Sequence, residues 1–312
     1  MKCYCTENCI CERENVLSTV NDLYNKCSSC FNKTFKKAIP LKRQIKLSKL
    51  DKNYGLCEVC KKRHIDIVMA HVLKIMIEEK QISDSASIRK VGVPLITPAI
   101  HLNYLPYLSR KTLVVITKFC DKQTANRIIK EIPEIKAIIK GDTDITIGKL
   151  DENKSINFYE LLAGCDIRCD IQNSDFGPIL IYKNQSKLHI EYPKKESPKI
   201  KQLSEILDKY EKPTVLDAMC GPGTLGIYAL KKNAKKVVFN DIYNEALDSL
   251  KINLKVNSIN ETDYEIFNEN LLNLPNLIEY KFDIGIIDSF PNIDTSNYLK
   301  NLKKICNEVV II

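Results

Sequence analysis

The run Thr214-Val-Leu-Asp217-Ala-Met-Cys-Gly221-Pro-Gly223-Thr-Leu-Gly226, followed by Val237-Val-Phe-Asn240-Asp241, limits the fold more than any other stretch of the chain. A short apolar run ends in an acid, turns through glycines and enters a segment of helical spacing. A second apolar run then ends in another acid. Strand, tight turn, helix and strand in this order form a βαβ unit, which needs a parallel sheet covered on its faces. The alternation continues, with strands expected at 214–218, 236–240, 264–268, 283–288 and 308–312 and helices at 223–232, 244–256 and 295–305. It predicts an α/β fold with a doubly wound, mostly parallel sheet whose ligand groups stand at the C-terminal strand ends.

Upstream the texture changes. The chain has 312 residues and 13 cysteines, and eight of those cysteines fall in its first sixty residues. We therefore divide it into a cysteine-rich module (1–64), a small α/β domain (65–192) and the doubly wound domain (193–312). Ile65 to Glu79 has a helical apolar face, and Pro94, Pro98 and Pro106 punctuate a loop-rich passage. A β-branched strand is expected at 112–117, a helix at 121–131 capped near Asp121, and a strand at 135–139. Further strands are expected around 144–148, 168–172, 179–182 and 187–191, then a connector at 193–199 and a helix at 200–210.

Gly221 and Gly223 let backbone approach a ligand closely and turn sharply into the helix. Gly221, Gly223 and Gly226 match a dinucleotide-type G-x-G-x-x-G, a weak signal by itself. Pro222 removes one N–H donor, which suits a pyrophosphate poorly. Asp217 is placed to attract an ammonium, and Asp241 to accept from ribose hydroxyls, so the pattern favours S-adenosylmethionine. Asn270, beyond the third strand, is a candidate for an adenine edge or a plain turn residue. Cys220 reads as packing and not as a nucleophile. At the end of the fourth strand, Asp288-Ser-Phe290-Pro291 offers an acid to accept a proton, an aromatic ring to stack a planar acceptor or close the core, and a proline that stiffens the turn.

Cys27-x2-Cys30 and Cys57-x2-Cys60 stand twenty-six residues apart, the arrangement of two knuckles sharing a tetrahedral Zn²⁺. Cys3, Cys5, Cys9 and Cys11 form a tighter set, open to a second zinc site, an iron–sulfur cluster or mixed ligation. His64 and His71 follow the last pair and are possible substitute ligands, although His71 fits better as a packing residue. Cys165-x3-Cys169 lacks a partner pair and is not read as a metal site. Residues 36–63 carry ten basic side chains against two acidic ones, the same +8 as the whole chain. Such a field attracts phosphate backbones, which makes RNA the expected partner. No apolar stretch reaches spanning length and the N-terminus lacks a signal-peptide core, so no membrane role and a cytoplasmic location are expected.

On these residues, the segment 214–291 resembles the class I S-adenosylmethionine-dependent methyltransferases. Residues 217–224 are similar to the first cofactor motif of RNA-modifying members, and Lys236-Val-Val-Phe-Asn-Asp-Ile242, with Asn253 and Asn257 on the next helix, to the second. Ile135–Ile139, Glu160-Leu-Leu-Ala-Gly164 and the strand pair leading to Ile190-Glu-Tyr-Pro193 resemble the domain that precedes the catalytic part in tRNA guanosine-N1 methyltransferases. Relatives of those enzymes include the tRNA aminocarboxypropyl transferases of wybutosine synthesis. The resemblance implies a methyltransferase sheet, Asp217 and Gly221 near the methionine part of the cofactor, Asp241 on its ribose, and a base in structured RNA, foremost tRNA, as acceptor. Where that family ends its fourth strand in Asn-Leu-Pro, this chain has Asp288-Ser-Phe-Pro291, and its Pro-Arg loop has become Pro193-Lys-Lys-Glu-Ser-Pro198. Aminocarboxypropyl transfer therefore remains an alternative, as does a protein or small-molecule acceptor with the zinc module as a docking element. Sheets of this class usually add two strands at one edge; here the expectation is that these are absent, or that upstream segments, a protein partner or a second copy take their place.

Overall fold

The computed structural model describes residues 9–31, 34–143, 159–289 and 293–312. They pack as two units, one formed by residues up to 168 and the other by residues 169–312.

The first unit contains α1 (Arg13–Leu23), β1 (Arg63–His64), α2 (Ile65–Glu78), β2 (Val93–Ile96), β3 (Tyr107–Leu108), β4 (Leu113–Thr117), α3 (Lys122–Glu131), β5 (Ile135–Lys140) and β6 (Glu160–Gly164). Its main sheet runs β2-β4-β5-β6, with β4 and β5 parallel and the outer pairs antiparallel. Helix α3 makes the crossover, and Asp121 caps it by accepting from the Thr124 N–H at 2.8 Å. Helix α2 was expected to bury one face, yet twelve of its fourteen residues are buried. The reason is that Tyr24, Phe35, Leu41 and Leu50 from the cysteine-rich segment join the same core. Arg63, wholly buried, anchors that segment: its Nε and Nη2 donate to Glu134 at 2.7 and 2.6 Å, and its Nη1 donates to the Asp51 carbonyl. α1 and β2 lie in stretches read without an element. Pro94 is compatible with β2 because the strand is at the sheet edge, where a missing donor costs no ladder bond.

The second unit contains β7 (Ile167–Gln172), β8 (Ile179–Asn184), α4 (Pro198–Leu207), β9 (Thr214–Asp217), α5 (Thr224–Lys232), β10 (Lys236–Asn240), α6 (Asn244–Val256), β11 (Tyr264–Phe267), β12 (Phe282–Ile287), α7 (Ser296–Leu302) and β13 (Cys306–Ile311). Five strands form one wholly parallel sheet in the order β11-β10-β9-β12-β13. The expected doubly wound sheet is present. Val215, Val237, Phe239, Ile284 and Ile286 feed a core with α4, α5 and α6, whereas Leu216, Val238 and Ile287 feed a second one with Leu302 and Leu274. Both faces are thus covered, as a parallel sheet requires. The strand expected at 187–191 is instead a turn and extended chain.

β7 and β8 pair as a separate ribbon, and α6 completes the ribbon's edge. The Asn257 side chain accepts from Leu180 N–H at 3.1 Å and donates to Leu180 O at 2.7 Å. Asn253 does the same to Tyr182 at 2.7 and 3.0 Å, and also donates to the Pro222 carbonyl at 2.9 Å. The spacing matches, since four helical residues rise about 6 Å and two strand residues about 6.6 Å. Both asparagines are fully buried, so truncation leaves strand groups unsatisfied. Asn253→Ala is expected to lower unfolding stability by about 1–3 kcal/mol in urea titrations, against little change for Ala at exposed Asn297.

Candidate functional site

At the C-terminal edge of the five-stranded sheet, β9 lies between β10 and β12, with Asp217 opposite Phe239 and Ile286. Three acids meet this edge: Asp217, Asp241 and Asp288. Asp217 is wholly buried; its Oδ2 accepts from Gly226 N–H in the first turn of α5 at 2.8 Å. Its Oδ1 is also buried and has no hydrogen-bond partner among the described residues. Burial pushes its carboxyl up to about 7, helped by the charges of Asp288 and Asp241 and opposed by the Gly226 N–H. An unmatched carboxylate oxygen in a dry site is a demand for a cationic donor.

The glycine turn leaves room for one. Gly221 has φ +52°, and no atom lies within 4 Å of where a Cβ would stand. Gly223, at φ +94°, caps α5 with its Cα so near Leu250 that a Cβ would stand 2.3 Å from that side chain. Asp241 ties the turn down: its Oδ2 accepts from Gly221 N–H at 2.8 Å and its Oδ1 from Tyr243 N–H at 2.9 Å. Each oxygen keeps acceptor capacity for a ribose hydroxyl. Burial raises Asp241, while those backbone donors hold it back. The unmatched Asp217 oxygen, the open face of Gly221 and the neighbouring Asp241 together fit the amine and ribose of S-adenosylmethionine.

Asp288 follows β12, and both its oxygens accept from Lys199 Nζ, at 2.8 and 2.7 Å. Lys199 stands in the first turn of α4 and escaped the sequence reading, because nothing local links it to a strand end 89 residues later. Asn240 was also missed: its amide donates to Ala218 O and Glu269 O, and its Oδ1 accepts from Glu269 N–H, stitching the ends of β9, β10 and β11 together. Asn270 is exposed, with its Oδ1 accepting from Leu272 N–H as in a local turn. Cys220 is buried, and burial lifts its thiol well above the ordinary range, an inert packing residue. Phe290 and Pro291 lie outside the described residues.

In the other unit, Cys27, Cys30, Cys57 and Cys60 converge, with all four Sγ atoms within 4.8 Å of one another. Their contacts include Cys27–Cys57 and Cys30–Cys60 at 3.4 Å and Cys27–Cys30 at 3.7 Å. Sulfurs bound tetrahedrally at about 2.3 Å from an ion stand about 3.8 Å apart, so the set is able to hold a metal. Cys57 N–H donates to Lys62 O and Lys61 N–H to Cys57 O, shaping the second knuckle. Backbone N–H groups of Cys60 and Val59 pull the Cys57 thiol down to about 6, toward the ligating thiolate. The histidines are engaged elsewhere: His64 caps α2 by accepting from Asp66 N–H, and His71 packs against Arg63, where burial lowers it to about 4. Cys3 and Cys5 lie outside the described residues. Cys9 accepts from Lys136 Nζ at 3.1 Å and touches the Cys165 thiol. Among the described residues, the Cys27-Cys30-Cys57-Cys60 set is the metal-sized cluster.

The basic interval divides once side chains are placed. Lys37 pairs with Asp66, Lys42 with Asp84, and Lys61 with Glu58, while Arg63 is buried. Lys62 donates to the carbonyls of Asp22 and Asn25. Lys36, Arg43, Lys46, Lys49 and Lys52 are exposed and form no ion pair among the described residues.

Residues 200–291 match the family model described as methyltransferase small domain. An uncharacterized RNA methyltransferase of Clostridium tetani is 33% identical over 99 residues, covering 31% of this chain and 21% of that protein. The ribosomal protein L11 methyltransferase of Agathobacter rectalis is 44% identical over 63 residues, covering 20% of each. The matches span about a fifth of the length of these curated relatives. Among solved structures, the complex of aTrm5 with tRNALeu is similar over 95% of this chain and 83% of that one, at 17% identity and a TM-score of 0.45. No helix among the described residues is long and apolar enough to cross a membrane.

Asp217 generates a pH signature. Its folded carboxyl keeps a proton up to about 7 and an ordinary one only to about 4, so its stabilising contribution is present below about pH 4 and is lost as pH rises through 7. An ammonium ligand reverses the preference by favouring the ionised form. Calorimetry is expected to show S-adenosylmethionine affinity rising roughly tenfold from pH 6 to pH 8, a rise abolished in Asp217→Asn.

Proposed function

We propose that the chain is an S-adenosylmethionine-dependent methyltransferase that modifies a base in structured RNA, foremost tRNA, in the cytoplasm. The observation that carries this reading is the buried, unmatched Asp217 oxygen beside the open glycine turn at the edge of a parallel sheet. The family model over 200–291 and the name of the Clostridium tetani relative support it. When bound, the cofactor supplies a sulfonium-activated methyl group. Asp217 would hold the ammonium, with Gly221 and Gly223 giving close approach and Asp241 the ribose hydroxyls. Asn270 would stand toward the adenine. Asp288 would accept the proton that the acceptor base gives up, while Phe290 would stack that base and Pro291 would stiffen the chain beside it.

We further propose the division of labour read from the sequence: a zinc-holding module (1–64), an α/β substrate-binding domain (65–192) and a catalytic domain (193–312). Four thiolates would bind Zn²⁺ as a structural, closed site, with Cys3, Cys5, Cys9 and Cys11 a candidate second set. Lys36, Arg43, Lys46, Lys49 and Lys52 would take RNA phosphates. β13, an edge strand of the described sheet, is where a partner chain or second copy would pair. A protein acceptor is the second reading, favoured by the name of the Agathobacter rectalis relative. Aminocarboxypropyl transfer is the alternative reaction for the same cofactor.

The deciding experiment incubates cellular RNA lacking modification with cofactor labelled in its methyl group or, separately, in its aminocarboxypropyl group. A methylated nucleoside in tRNA is expected; label confined to protein, or only aminocarboxypropyl label in RNA, rejects the methyl-RNA reading. Replacing Arg43, Lys46 and Lys49 by Ala is expected to weaken tRNA binding by roughly tenfold or more and to reduce its salt dependence by up to about 3 in log–log slope. Metal analysis is expected to return at least one zinc per chain, and Cys57→Ser to remove one and destabilise the cysteine-rich unit.

A further inference from the structure

Asp288 stands among like charges. Among the described residues, Asp217 on β9 feels the charge of Asp288, and Asp288 feels that of Glu191 in the connector after β8. The cation opposite is Lys199, whose ammonium reaches both Asp288 oxygens. Lys199 is held at the start of a helix that Ser197 caps by accepting from Ile200 N–H, with Pro198 fixing the first residue. The connector leading to it is fastened from the other end. Lys183, fully buried on β8, donates to His189 O at 3.1 Å and lies 2.7 Å from Asp170 and 3.7 Å from Glu191.

We propose that Lys199 is a positioning residue, holding Asp288 as an aimed carboxylate on the acceptor side of the site. This rests on the transferase reading above for its role in catalysis, but the pair itself does not. Burial and Glu191 raise Asp288, and Lys199 pulls it back. Because the ammonium spans both oxygens, it also restrains rotation of the carboxyl, which a neutral side chain of similar length does not. Lys199 is itself partly exposed, so it can loosen its grip when an acceptor N–H arrives without a desolvated charge being left behind.

The test uses the full-length, RNA-free protein with ¹³C-labelled aspartate, the Asp288 carboxyl resonance being assigned by Asp288→Asn. Lys199→Met is expected to move the Asp288 titration midpoint upward by about one pH unit or more, and Lys199→Arg to restore it. In single-turnover transfer, the Met variant is expected to lose more rate at pH 6 than at pH 8.5, again with rescue by Arg. An unmoved Asp288 midpoint, or a rate loss by the same factor at every pH, overturns the proposal. Lys199→Gln replaces the Met variant should unfolding curves show that Met disturbs the fold. Failure of the parent protein to bind S-adenosylmethionine would sink the transferase reading instead, and the carboxyl titration would still judge the Lys199–Asp288 pair.

Discussion

Two asparagine side chains hold the second unit in register. A β-ribbon of two strands leaves an outer edge on each strand, and the one on β8 faces α6. Instead of a third strand, α6 presents Asn253 and Asn257, whose amides copy the donor–acceptor pair of a peptide group. Asn253 spends its second N–H on Pro222 O in the glycine turn. The ribbon, the helix and the glycine turn therefore share a single buried side chain. A Gln or Asp in that position changes either the reach or the donor count, so the substitution most conservative in polarity still breaks the pattern.

Around this frame the chemistry is set by where charge is left unbalanced. The sheet edge gathers Asp217, Asp241 and Asp288, and among the described residues only Asp288 bonds to a cationic side chain. Asp241 is paid in backbone N–H groups, and Asp217 in a single one, with its other oxygen unmatched. The gradient from matched to unmatched acid points toward the glycine turn. A ligand carrying a positive charge at one end and hydroxyls further along is what this gradient selects. The cysteine cluster in the other unit follows a different logic, since there four thiol groups converge on each other at a spacing able to hold one ion at their centre.

The fold was largely legible because parallel strands buried on both faces write themselves as apolar runs with glycine and acid punctuation. Thr214–Asp217 and Lys236–Asn240 each fall within a residue of the expected bounds. The convergence of Cys27, Cys30, Cys57 and Cys60 is legible from spacing alone. What escaped depends on partners distant in sequence. Arg63 reads in the sequence as one more cation of the basic interval, yet Glu134, 71 positions on, pairs with it in the core. Lys199 reads as part of a charged connector until Asp288 is placed beside it. The unmatched oxygen of Asp217 has no sequence signature at all, because it is defined by what the packing fails to supply. β2 was hidden by Pro94, and α1 by a polar composition with few buried positions.

The strand order carries a consequence for how the protein is made. β9 is the first strand of the five to be synthesised, and it ends up in the middle. Val215 pairs with Val237, 22 positions on, and with Ile284, 69 positions on. A chain emerging from the ribosome can zip β9 to β10 early, while the flank that β12 will occupy stays bare until most of the unit has been translated. During that interval Asp217 is not yet enclosed, and a carboxyl destined for a dry pocket is still hydrated. Enclosure of Asp217 involves β12, which pairs with it through Ile286, so the dry setting of this acid depends on a strand 69 positions further along the chain.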